Sequence, residues 1–133
     1  MQAKEPLTIF VMEPERDSRV VRIPHTLEAM QEIVDGNFEH FFRLERSKST
    51  TFDFYGNDSA KLLPTCLPNF YLPPLNDWIF GPVFIAVGNT HTGETSSLNA
   101  LDISLMRTFE RKLNRIKRNT GFTFTTTEGK EDQ

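Results

Sequence analysis

Apolar and polar positions change rhythm several times along this chain, and each change predicts an element. "LTIFVMEP" (Leu7 to Pro14) is β-branched and aromatic, and a proline ends it, so it reads as a strand. "ERDS" is polar. "RVVRIP" (Arg19 to Pro24) reads as a second strand, which makes the pair a hairpin. Pro24 removes a backbone donor and stops the strand. From Thr26 to Val34 the period lengthens: Leu27, Met30 and Val34 recur at helical spacing, with Ile33 widening the apolar face. Glu28 suits a helix N-terminus, and Gly36 offers the left-handed conformation that closes one.

A third strand is expected over Asn37 to Glu45 and a fourth at Phe52 to Tyr55, where Phe52 and Phe54 share a face. "AKLL" reads as a short return strand. Pro64 to Asp77 holds four of the eight prolines, so an ordered surface loop is expected there, with no central strand. "WIFGPVFIAVGN" (Trp78 to Asn89) is the most apolar segment and reads as one buried central strand, kinked or bulged at Gly81-Pro82. Asn99 is a good N-cap for a final helix, with Asp102 three residues on as a shorter capping-box partner. Met106, Phe109, Leu113 and Ile116 keep helical spacing, which gives an amphipathic helix of about 28 Å, ended by Gly121. "FTFTTT" alternates at period two and could be one more strand; "EGKEDQ" is a polar tail.

These elements predict an α+β fold: a small mixed or antiparallel sheet of about five strands with two helices packed on it. The expected order is β-β-α-β-β-β-α plus a C-terminal strand. The domain would span residues 1–119, with 120–133 as a C-terminal extension. A chain of 133 residues suits one core. With one cysteine, Cys66, it can form neither an internal disulfide nor a cysteine-based zinc site. No apolar run is long enough for a membrane helix and the N-terminus lacks a signal pattern, so a cytoplasmic protein is expected.

The stretch "IPHTLEAMQEIVDG", together with "DWIFGPVFIAVG" and "SLNALDI", resembles the family known as domain of unknown function 3846. The similarity runs from about Leu7 to Phe109. Four positions depart from that family's pattern: His25 for the usual Asn, Asp35 for the first Gly, Trp78 for Ile, and Pro82 after the strand glycine. The "TCLPNFYLPPLND" segment is also longer. The resemblance implies a compact α+β domain of bacteria, phages and mobile elements, with an accessory or host-interaction role and no established activity.

Candidate chemistry changes this picture little. His25, His40 and His91 lack metal-ligand spacing, and Cys66 has no neighbour that would lower its pKa. No nucleophile elbow or phosphate loop stands out. No cofactor, metal or catalytic residue is therefore expected, and the protein is read as non-enzymatic. Charge gives a stronger local signal. Arg107 to Arg118 holds six basic residues and one acidic, a balance of +5 in a chain of net charge -3. Arg107, Arg111, Arg115 and Arg118 would share one helical face. That stripe could meet an acidic protein or nucleic acid, or be only a solvated face near a helix C-terminus. Loop aromatics Phe70, Tyr71 and Trp78 give a second candidate contact patch, or else a cap on the core.

The leading expectation is a small protein-interaction module whose partner is a host factor, such as a defence protein. Nucleic-acid binding through the basic helix is the first alternative. The second is a small-ligand binder with a pocket near His25, Trp78 and His91. The terminal "FTFTTT" could add to a second copy and give a homodimer, or pair within its own chain. No membrane association is expected.

Overall fold

In the computed structural model, which describes residues 4–115, Leu7–Met12 (β1) and Arg19–Ile23 (β2) form the expected antiparallel hairpin. Leu27–Val34 (α1) follows. Its N-cap is Thr26, whose hydroxyl accepts from the Ala29 amide at 3.1 Å. His25 thus does not serve as the cap. Asp35 itself takes the left-handed closing conformation, with φ 61°, ahead of Gly36. Phe38–Glu45 (β3) and Thr50–Asn57 (β4) make a second hairpin.

The central run departs from expectation in an instructive way. Pro68–Leu72 (β5) is a strand inside the proline-rich segment, and Asp77–Phe80 (β6) pairs with it. The prolines permit this because they stand at its ends: Pro68 opens β5, and Pro73 opens a 3-10 turn, Pro73–Leu75. "WIFGPVFIAVGN" is therefore two strands. Val83–Asn89 (β7) leaves the β5–β6 sheet and runs through the centre of the larger one. Gly81 turns the corner at φ 79°, a conformation that side chains resist, and Pro82 follows it. The "AKLL" stretch is a 3-10 turn, Ala60–Leu62, and not a return strand.

The larger sheet has the order β2-β1-β7-β4-β3, all antiparallel. Thr95–Ser96 (β8) pairs with β7 at Val87 and Gly88. The fold is thus α+β, with two α-helices among the described residues, and its larger sheet is antiparallel. One face buries Phe10, Met12, Phe52, Phe54, Val83 and Ile85 under β5, Ile79 and the last helix. The other buries Ile9, Val11, Phe84 and Ala86 under α1. Buried on both faces, β7 needs apolar residues at almost every position, which is why it lacks alternation.

The last helix, Ala100–Arg111 (α2), begins with the expected capping box between Asn99 and Asp102. Asp102 also receives a two-pronged contact from Arg46, Nε to Oδ1 at 2.8 Å and a terminal nitrogen to Oδ2 at 3.1 Å. This partly buried ion pair ties the β3–β4 loop to the start of α2. The helix is shorter than its periodicity suggests. Lys112 and Leu113 donate to carbonyls three residues back, Leu113 packs on the core, and Asn114–Arg115 (β9) pairs with β5. The open edge of β5 captures backbone that would otherwise continue the helix. Ile116, Arg118, the "FTFTTT" strand and the 120–133 extension lie outside the described residues.

Asn69 joins the two sheets. Fully buried, its side-chain amide donates to the Met12 and Gly81 carbonyls, each at 2.8 Å. Asn69→Ala strands both acceptors and should destabilise the fold by about 2 to 4 kcal/mol, since each unsatisfied buried group costs roughly 1 to 3. Urea denaturation measures this, and a change below about 1 kcal/mol would contradict the stapling role.

Candidate functional site

The structure scatters most of the residues singled out by sequence. Phe70 is fully buried beneath the larger sheet, so it is core and not a contact residue. Its place follows from β5 being a strand, which turns alternate side chains inward. The expected face of four arginines is not built on one helix within the described residues. Arg107 and Arg111 lie on α2, Arg115 lies in β9, and Arg118 is beyond the described range. Arg107 donates to the Ser18 hydroxyl at 3.2 Å and lies 5.4 Å from the Phe10 ring centre. Arg111 donates to Thr108 at 3.1 Å. Among the described residues, neither of two cavities joins His25, Trp78 and His91 into the expected pocket. His25 lines one cavity with Lys4 and Glu94, Trp78 lines another, and His91 is exposed on a turn. Among the described residues no three His, Cys, Asp or Glu side chains gather as metal ligands would.

Trp78 and Tyr71 do remain together, as an edge-to-face pair 5.9 Å apart. Trp78 belongs to a groove of about 280 Å³ between β3 and β6, the edge strands of the two sheets. Phe41, Leu62, Leu75 and Phe80 supply apolar wall. Leu62 is 83 % exposed and Leu75 45 %, so these leucines have little cover among the described residues. Glu39, Asp58 and Asp77 stand on the rim. The Lys61 ammonium lies 2.5 Å from Asp77, and hydrogen bonding to it holds the Asp77 carboxyl below its usual range.

Sequence reasoning missed a second cluster, on the α1 side of the larger sheet. Asp53 is buried in β4. Its Oδ1 accepts from Thr51 at 2.7 Å and from Arg43 Nε at 3.0 Å, with His40 Nε2 at 3.4 Å. His40 and Arg43 are three apart, and in a regular strand they would point to opposite faces. A bulge between His40 and Phe42 takes Phe41 out of register, so both flank the same carboxylate. Bulge and bridge together set a half-exposed imidazole and guanidinium on a buried acid. The cue in the sequence was the lone acid in "TFDFY", but the bulge that gives it partners comes from strand pairing. Burial pushes the Tyr55 phenol beside it above its usual range, opposed by a hydrogen bond to Thr95.

The groove and the cluster sit on an antiparallel α+β domain, the class of fold that the family resemblance implies. Residues 7–113 match the model of a family described as a domain of unknown function (DUF3846), and the chain belongs to that family. No curated protein and no solved structure matches it.

Two outcomes test this geometry. A Cβ at Gly88 would fall 2.1 Å from Asp53 Oδ2. Gly88→Ala should therefore cost about 2 to 3 kcal/mol, and clearly less in an Asp53→Ser background. Denaturation of the four proteins of this cycle gives the coupling; additive costs would contradict the contact. The raised Tyr55 value means that the folded state holds the phenolic proton more tightly than the unfolded chain. That contribution is complete below about pH 10 and is lost as pH rises through the folded value. Stability should fall more steeply with alkaline pH in the wild type than in Tyr55→Phe, and equal slopes would refute it.

Proposed function

We propose that this chain is a non-enzymatic protein-interaction module that seats a polypeptide partner in the groove between β3 and β6. The carrying observation is the exposure of Leu62 and Leu75 beside the half-buried Trp78 around one cavity. Water-facing apolar wall with an aromatic anchor is what interface centres are made of. Phe41, Leu62, Leu75, Trp78 and Phe80 line the groove beside Asn57 and Ser59, a largely apolar wall that suits burial of a partner side chain better than proton transfer. A host factor in the cytoplasm, such as a defence protein, is the class of partner that suits the mobile-element setting of the family. Arg107 and Arg111 support the nucleic-acid alternative less, because both already contact neighbouring side chains.

The test uses Leu62→Glu/Leu75→Glu. Both positions are exposed, so folding should change by no more than about 0.5 kcal/mol per site. A partner bound stoichiometrically by the wild type should bind the double variant at least about tenfold more weakly, a difference of 1.4 kcal/mol. Trp78 is the single tryptophan, so its emission should shift when the groove fills. Equal recovery by both proteins, or no stoichiometric partner for either, would overturn the proposal.

A further inference from the structure

The rim of the groove carries a charge pattern that its apolar walls do not require. Three carboxylates reach it from three separate elements: Glu39 from β3, Asp58 from the turn after β4, and Asp77 from β6. Against them stands one cation, Lys61, already paired with Asp77. Asp58 accepts only the Ser59 hydroxyl, at 3.2 Å, and Glu39 has no hydrogen bond or ion pair among the described residues. The rim therefore has net charge -2, with two carboxylates that no cation among the described residues neutralises.

The cavity, about 280 Å³, has room for one or two side chains. The carboxylates would repel a phosphate backbone, which removes nucleic acid as the occupant.

Resting on the docking reading above, we infer that the groove recognises a polypeptide segment with an apolar side chain flanked by lysine or arginine. The apolar side chain sits against Leu62, Leu75 and Trp78. The flanking cations meet Glu39 and Asp58, and a guanidinium competes with Lys61 for Asp77, whose ion pair is half exposed and exchangeable. Apolar contact supplies affinity, and rim charge supplies selectivity and encounter rate.

A selection from displayed random peptides on the immobilised full chain tests this, with counter-selection on Leu62→Glu/Leu75→Glu. Enriched peptides should carry an apolar residue beside at least two basic ones. Synthetic copies, followed by Trp78 emission, should bind about tenfold more weakly to Glu39→Gln/Asp58→Asn/Asp77→Asn and should weaken as salt rises. Groove-dependent peptides with neutral or acidic flanks would overturn the charge inference and leave the docking reading standing. No groove-dependent enrichment would overturn both. Sedimentation of the full chain covers the remaining occupant: self-association abolished by Leu62→Glu/Leu75→Glu would place a second copy in the groove and overturn the inference.

Discussion

The corner at Gly81 and Pro82 is the constraint on which the rest of this molecule depends. It lets one apolar run serve two sheets, with β6 pairing in the smaller and β7 running through the larger. A regular strand through these residues would carry β6 onward in the plane of the larger sheet. The face holding Phe10, Phe54 and Ile85 would then lose β5 as its cover. The left-handed glycine makes the turn sterically cheap, and the Gly81 amide donates to Leu67 at 2.9 Å. Asn69 completes the joint by satisfying a carbonyl from each side of it. A buried amide is an expensive group to leave unpaired, so its geometry selects one arrangement of the two sheets.

The corner also makes the groove. Moving β6 out of the larger sheet leaves its edge facing the edge of β3, and the gap is walled by Phe41, Phe80 and Trp78. Phe41 reaches that wall because it is the bulged residue of β3, packed over Gly56. The same bulge brings His40 and Arg43 to Asp53 on the opposite face. One irregularity in one edge strand thus shapes both polar and apolar features. It also disrupts the regular edge of β3, which discourages unspecific strand addition there.

Buried charge is handled in two ways. Asp102 is closed off: Arg46 takes both its oxygens and the Asn99 amide shares one, so it acts as a fastener between the β3–β4 loop and α2. Asp53 is bridged by side chains that stay partly in solvent, so its partners remain available. The carboxylates of the groove rim are more open still. Asp53 and Asp102 are equally buried, so the difference between them lies in their partners: Arg46 is the most enclosed of the three basic side chains, whereas Arg43 and His40 reach further into solvent.

Local signals sufficed for the first hairpin, α1 and the capped start of α2. Each rests on contacts within a few residues, such as Thr26 with Ala29 and Asn99 with Asp102. The α+β class followed from those elements. The strand at Pro68–Leu72 was hidden because its prolines spoke against pairing, while its partners β6 and β9 flank it only in space, β9 coming from far along the chain. The end of α2 was hidden for the same reason: helical spacing continued to Ile116, but the open edge of β5 took the backbone. Phe70 and Trp78 looked alike as loop aromatics, and pairing sent one into the core and left the other at the groove. The His40–Asp53–Arg43 cluster depends on a one-residue slip in register, which hydrophobic pattern does not encode. Residue-by-residue chemistry thus determined which segments could become helix or strand. Only the tertiary structure decided which edges met and which side chains stayed in water, because those outcomes are set by non-local pairing and burial.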